Sequence, residues 1–254
     1  MLHRLLLCLS LMLAPLFALA EEVVLGMSRD SIAITTNFDG SDLLIFGAVK
    51  RDAPLQSSPL EVVITVAGPS APVVVRKKER RFGIWINTEA VTVDEAPSFY
   101  AVAASGPLDE ILSQTEDLRH KISIPKAIRL VGESGAVDDV ERFSDAVIRI
   151  RMSQGVYQLG EGAVDLREET LFRTAIELPA NLTEGAYVTR VFLVRDGGVV
   201  SHHETELDVR KVGLERWLFS LSREQPLLYG LMSLAIAIAA GWGASALFRV
   251  LRLS

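Results

Sequence analysis

The run Leu227–Phe248, LLYGLMSLAIAIAAGWGASALF, contains no charged residue. As a helix rising about 1.5 Å per residue it would reach roughly 33 Å, enough to cross a hydrocarbon layer about 30 Å thick. Arg223 and Glu224 bound it on one side, Arg249 and Arg252 on the other. A lone segment can satisfy its backbone in lipid only as a helix. The run therefore predicts a single membrane span, and the remaining chain must fold as a body held beside a bilayer.

The start of the chain predicts which side. His3 and Arg4 are followed by an apolar stretch from Leu5 to Leu13 and then by Ala18-Leu19-Ala20, ahead of the acidic pair Glu21-Glu22. This is the layout of a cleavable secretory leader, and the apolar stretch is short for a span. The expected placement is a single pass through a membrane. Glu21 to Gln225 then stand outside the cytoplasm, and residues 249–254, with Arg249 and Arg252, form a short cytoplasmic tail. Arg216 and Arg223 on the outer flank weaken the charge bias, so the leader carries the orientation.

All 32 acidic residues lie between the two apolar segments, with all but three of the 26 basic ones. That region is acidic by about nine charges, which argues against nucleic acid as a partner. The single cysteine, Cys8, lies in the leader. A mature chain would have no disulfide, thiol nucleophile or cysteine metal site, and its stability must come from ordinary burial.

Short β-branched runs separated by turn residues fill the first part: Ser31–Asn37, Leu43–Val49, Glu61–Val66, Val73–Val75, Gly83–Asn87, Val91–Val93 and Ser98–Val102. Asn37-Phe-Asp-Gly40 reads as a turn, and Ala53–Pro59 as a Pro/Ser-rich link. The pattern predicts a sandwich-like domain over 21–105, with Trp85 buried in an immunoglobulin-like core. Helical spacing takes over in 106–154. Leu108, Ile111, Leu112, Thr115 and Leu118 form one stripe behind Pro107 as first helical residue. Val140, Phe143, Val147 and Ile150 form another within Asp138–Gln154, and Pro125–Gly135 reads as loop or strand.

Strand signals return over 155–212, at Ala163–Leu166, Leu171–Leu178 and Gly185–Val194. Asp196-Gly-Gly198 then turns into Val199–Val209. The sequence leaves open whether this second β unit closes its own core or completes the first. Residues 213–226 follow as an amphipathic helix bearing Leu214, Trp217, Leu218 and Leu221 before Pro226, and 227–248 is the span. The expected fold class is thus mainly β, in immunoglobulin-like sandwich units, with a helical insertion and one C-terminal transmembrane helix.

Few residues carry recognisable chemistry. His202-His203-Glu204 lies on a strand, where neighbours point to opposite faces and no third ligand follows at zinc-like spacing. No serine sits in a Gly-x-Ser-x-Gly turn, and Gly160-Glu-Gly162 lacks the rest of a phosphate loop and reads as a turn. No metal or other cofactor is expected, and no catalytic residue is assigned. Two other features stand out. Arg76-Lys-Lys-Glu-Arg-Arg81 is a basic run in an acidic region; Arg76, Lys77, Lys78, Arg80 and Arg81, with Trp85, form a candidate surface for an anionic group or an acidic partner. The alternative is a solvated turn whose charges blunt a sheet edge. Within the span, Ser233, Ala237, Gly241 and Ser245 recur every four residues as a strip along which another helix could approach closely.

Several motifs give the chain a resemblance to a family of uncharacterised transmembrane proteins of alphaproteobacteria. They are Asn37-Phe-Asp-Gly40 with Ile45-Phe-Gly-Ala48, Val75-Arg-Lys-Lys78 with Gly83-Ile-Trp-Ile-Asn87, and Pro97-Ser-Phe-Tyr-Ala101. Leu171-Phe-Arg173 with Leu178-Pro-Ala180, and Leu228-Tyr-Gly230 with Gly241-Trp242, complete the set. The resemblance implies no activity and no catalytic residues. It implies association with permeases resembling sulfite exporters. The expected role is a non-enzymatic, membrane-anchored periplasmic binding or accessory protein, with an integral-membrane permease or a second copy as partner through the span. The competing reading is a periplasmic enzyme with a site around His202 or His203.

Overall fold

The computed structural model describes residues 21–35, 38–51, 58–128, 137–212 and 214–252. The expected leader, Asn37 of the first turn, most of the Pro/Ser-rich link, residues 129–136, Gly213 and the last two residues of the expected tail lie outside the described residues. The strands, in chain order, begin with β1 (Glu21–Met27), β2 (Ser31–Ile34), β3 (Ser41–Arg51), β4 (Glu61–Ala67), β5 (Ser70–Arg81), β6 (Ile84–Pro97) and β7 (Tyr100–Ala104). Helices α1 (Leu108–Ile111), α2 (Gln114–His120), α3 (Ile124–Ala127) and α4 (Val137–Ser153) follow. Then come β8 (Tyr157–Glu161), β9 (Asp165–Arg167), β10 (Leu171–Leu178), β11 (Gly185–Arg195) and β12 (Gly198–Lys211). The helices α5 (Leu214–Glu224) and α6 (Pro226–Arg252) end the chain.

Two compact units result. One holds the chain to Asp30 and from Asp39 to Asp208; the other holds Ser31–Phe38 and Val209 onward. In the first, one sheet runs β1-β3-β10-β9 and another runs β12-β11-β4-β7-β8. Strands before and after the helical segment are hydrogen-bonded to each other: β10 pairs with β3 from Leu171↔Ala48 to Leu178↔Ser41, and β11 pairs with β4 from Val188↔Ala67 to Val194↔Glu61. The question left open by the sequence is thereby answered, since both β regions build the same sheets.

Burial follows the sequence pattern. β10 alternates strictly, with Phe172, Thr174, Ile176 and Leu178 inside, so its sheet buries one face. Apart from Glu61 and Thr65, β4 and β7 are apolar, and they are buried along almost their whole length on both faces. Helices α3 and α4 supply the second cover: Ile124, Phe143 and Val147 are buried there, and α4 packs on β8. The reason for a helical segment at this point is topological. β7 and β8 are parallel, from Tyr100↔Tyr157 to Ala104↔Glu161, and parallel neighbours need a long crossover.

Four expectations change in this region. The first helical stripe is broken rather than continuous: Leu112 is extended, Ser113 caps α2 by accepting from the Glu116 amide, and Leu118 is exposed. Pro107 is the cap of α1 rather than its first residue. In α4, Ile150 stands nearly half exposed while Phe143 and Val147 are inside. Gly160 and Glu161, read as turn, belong to β8, and the turn follows at Gly162 with φ +71°.

In the second unit, β2 lies beside the end of β12, where the Val212 amide donates to the Ile34 carbonyl at 2.9 Å. Beyond it, α5 exposes Trp217 and Phe219, and the Arg223 guanidinium sits 5.3 Å above the Phe219 ring. Helix α6 starts at Pro226, at the point where a proline costs no helical hydrogen bond. Its window Pro226–Ser245 has mean hydropathy 1.7 and is wholly unburied. A core helix of a soluble body would be covered and a leader would lie near the N-terminus, so α6 is a candidate membrane span by length and composition.

Candidate functional site

β5 and β6 form a ribbon of their own, joined by a two-residue turn at Phe82-Gly83. Val93 and Ala96 are buried at its base. From the Val73↔Val93 pair to the turn is nine residues, an arm roughly 30 Å long at about 3.3 Å per residue. Apart from β5 against β6, its substantial packing is of β6 on α4. The sequence read these segments as short sandwich strands; instead they are two long strands of an arm.

Trp85 consequently is not a core residue. It is 68% exposed, beside exposed Ile84 and fully exposed Phe82. The expectation failed because β-branched alternation reports a pleated strand, not the presence of a second sheet to cover it.

Strand parity sorts the basic run into two faces. Residues directly opposite share a face. On one face lie Lys77, Glu79 and Arg81, the last two opposite Ile86 and Ile84. Here Glu79 pairs with Lys77 at 3.1 Å and with Arg81 at 3.3 Å. Hydrogen bonds from these two neighbours, Lys77 first, hold its carboxyl below the ordinary range. On the other face lie Arg76, Lys78 and Arg80, opposite Ala90, Asn87 and Trp85. No carboxylate is within ion-pair distance of these three among the described residues. Five cations that looked equivalent in sequence therefore divide into two that share the Glu79 carboxylate and a row of three with no carboxylate in reach among the described residues.

The turn is unusual too. Phe82 has φ 51° and Gly83 φ 84°, the left-handed pair of a type I′ hairpin turn. The β11–β12 hairpin solves the same problem with Asp196 (φ 48°) and Gly197 (φ 77°), residues suited to it. A bulky aromatic in this region carries strain of about 1 kcal/mol or more, and here no packing returns it.

The histidines part as strand geometry requires. His202 stacks on Phe192 with centroids 6.2 Å apart and meets His120 at a tilt, with centroids 5.7 Å apart, while Arg190 covers Phe192 at 5.3 Å. Arg190 also donates to the His120 carbonyl at 2.8 Å and to the Tyr100 hydroxyl at 3.3 Å. The Tyr100 hydroxyl in turn lies 2.8 Å from the Ile122 carbonyl, and burial pushes this phenol up to about 12. His203 lines a different, small cavity of about 180 Å³ with Arg29, Asp30 and Thr205. Among the described residues no group of three His, Cys, Asp or Glu is placed to hold a metal.

Two features had no signal in the sequence. The outer face of the β1-β3-β10-β9 sheet carries a cleft of about 510 Å³ floored by Val24, Phe46 and Leu171. At its rim Asp165 accepts from Arg167 at 3.2 Å and Arg173 at 3.0 Å, which lowers its pKa. The second is an ion cluster joining the sheets. Glu21, Arg51 and Glu169 come from one sheet and its turns, Arg195 from the other. Arg195 reaches Glu21 at 2.9 Å and Glu169 at 3.2 Å, and Arg51 reaches Glu21 at 3.0 Å. Both are assembled across long sequence separations, beyond any local pattern.

In α6 the residues Ser233, Ala237, Gly241 and Ser245 are all exposed and recur by four along the helix. They drift about 40° per step, the winding that suits a right-handed crossing at about −40°.

Comparison with known proteins adds one match. No curated protein matches the chain. A family model described as "Putative transmembrane protein" (Alph_Pro_TM) matches residues 22–250, from the start of β1 almost to the end of α6. The match takes in the sheets, the arm and the span together, and the chain belongs to this transmembrane protein family.

Proposed function

We propose that the protein is a non-enzymatic binding or accessory protein, anchored in a bacterial inner membrane by α6, with its β-rich unit in the periplasm and the arm as its recognition element. The carrying observation is the arm: a projecting ribbon with three unneutralised cations and three exposed apolar side chains at its end. An isolated two-stranded ribbon is marginal in water, and nothing in the packing of the sheets calls for one. Its exposed chemistry suits an outside partner. The small-residue strip of α6 supplies a second contact, toward an integral-membrane permease of the sulfite-exporter type or a second copy of the chain.

The body is read as one immunoglobulin-like sandwich. In its favour are the strand orders β1-β3-β10-β9 and β12-β11-β4, which parallel the A-B-E-D and G-F-C arrangement. The Tyr187 hydroxyl also donates back to the Thr183 carbonyl at 2.8 Å, where β10 hands over to β11.

Gentle solubilisation of native membranes tests the functional reading. The wild-type chain should co-purify with a membrane partner. The charge-reversed arm, Arg76→Glu with Lys78→Glu and Arg80→Glu, should lose it while melting at the wild-type temperature. Recovery of the wild-type chain alone, or an unchanged partner set with the reversed arm, would overturn the reading.

A further inference from the structure

We propose that the cationic face of the arm binds the surface of an anionic lipid bilayer. The inference rests on the arm being the recognition element and names what it recognises. Arg76, Lys78 and Arg80 alternate along β5, so they form a row with about 6.6 Å between neighbours, and Trp85 sits across from Arg80 at the row's outer end. The row lies on a two-stranded ribbon whose register shifts between Lys77 and Lys78, with Ala90 and Asn87 filling the opposite positions. A planar array of anionic head groups meets such a row without needing a concave site. A protein interface core, by contrast, is depleted in lysine and packs to interior density.

The end of the arm fits the same partner. Trp85 belongs to the residue types that settle at the head-group level, with an apolar ring and one polar N–H. Phe82 is held fully outward by a left-handed turn, where Asp-Gly would have made the same hairpin without strain. In water that exposure is unfavourable; against acyl chains just below the head groups it becomes favourable. On the opposite face Glu79 pairs with both Lys77 and Arg81 and offsets one of their two charges, so the ribbon presents most of its charge in one direction. A bilayer is also the surface that a chain carrying a span meets in every copy.

The test uses the full chain in neutral phosphatidylcholine nanodiscs. Trp217→Phe and Trp242→Phe leave Trp85 as the one tryptophan of the three. Vesicles of phosphatidylcholine with about a quarter phosphatidylglycerol, carrying brominated acyl chains, are then titrated in. Trp85 emission should shift to the blue and be quenched. Neutral vesicles should leave it unchanged, and salt at about 0.5 M should reverse it. Each cation near an anionic surface is worth about a fivefold change in partitioning. Arg76→Gln with Lys78→Gln should therefore demand about 25-fold more anionic lipid. Lys77→Gln with Arg81→Gln removes the same number of cations from the other face and should shift the titration less than about threefold. No quenching by anionic vesicles, equal quenching by neutral ones, or equal losses in the two double variants would overturn the proposal. If the vesicles leave Trp85 unmoved but the charge-reversed arm still loses a co-purifying protein, the lipid assignment falls and the arm keeps its role. If neither responds, both fall.

Discussion

Glu21→Gln tests the clamp that joins the two sheets. Glu21 opens β1, Arg51 ends β3 across from it, Glu169 lies in the turn before β10, and Arg195 ends β11. Arg195 is 5% exposed, with a guanidinium that also donates to the Ser58 carbonyl. Removing one partner of a buried pair costs about 3–5 kcal/mol because the remaining charge is left uncompensated. Glu169, at 3.2 Å, still faces Arg195, so the lower end applies, about 3 kcal/mol. For a body of this size that is a loss of roughly 6–12 °C in Tm. The control lies one residue away. Glu22 pairs with Lys50 at 3.3 Å, but both side chains are more than half exposed, so Glu22→Gln should cost under about 0.5 kcal/mol.

The pH dependence gives a second readout. Burial acts to raise the Glu21 carboxyl, but hydrogen bonds and charge from Arg195 and Arg51 outweigh it and hold it below its ordinary value of 4.5. A depressed folded value contributes stability that is fully present above 4.5 and is lost as pH falls through the folded value. Glutamine mimics the protonated carboxyl, so the gap between Glu21→Gln and wild type should be constant at neutral pH and close below about pH 4.5. Thermal melts of the full chain in nanodiscs measure both. Melting of Glu21→Gln within 2 °C or so of Glu22→Gln, or a gap that widens toward acid, would refute the clamp.

Three further predictions concern other parts of the fold. Gly47 is flanked so tightly that a Cβ would stand 2.5 Å from Phe172 Cζ and 2.6 Å from the Val24 carbonyl oxygen; Gly47→Ala should therefore cost about 1–3 kcal/mol in urea unfolding. Tyr100→Phe leaves the Ile122 carbonyl and Arg190 without the hydroxyl between them and should cost about 1–2 kcal/mol in the same assay, with the His120–His202–Phe192 stack kept. In native-state hydrogen exchange, amides of β5 and β6 above Val75 and Val91 should exchange well before those of β4 and β7, since the arm has no second layer to cover it.

What was legible in the sequence is what local pattern encodes. The strict alternation of Leu171–Leu178 marked β10, Asp196-Gly197 marked the last hairpin, and Phe143 and Val147 marked α4. The uncharged run after Pro226 marked the span. What was hidden depends on partners distant in sequence. β8 is a strand because β7 lies parallel beside it, and Tyr157 gives no local sign of that. Val73–Val75 and Val91–Val93 looked like core strands because β-branched residues announce extended chain, whereas burial is decided by what packs above it. Trp85 was misplaced for this reason. The same parity rule that separated His202 from His203 would have split the basic run, once Lys77 through Arg81 were known to be strand rather than turn.

Shortening the arm tests the central claim most directly. Replacing Arg76–Ala90 with Asn-Gly joins Val75 to Val91, which already face each other, through a two-residue turn. The account predicts that this variant, in native membranes, melts within about 2 °C of wild type and loses its association with lipid surface or protein partner. A body that unfolds without its arm, or an arm-less protein that keeps every association, would contradict it.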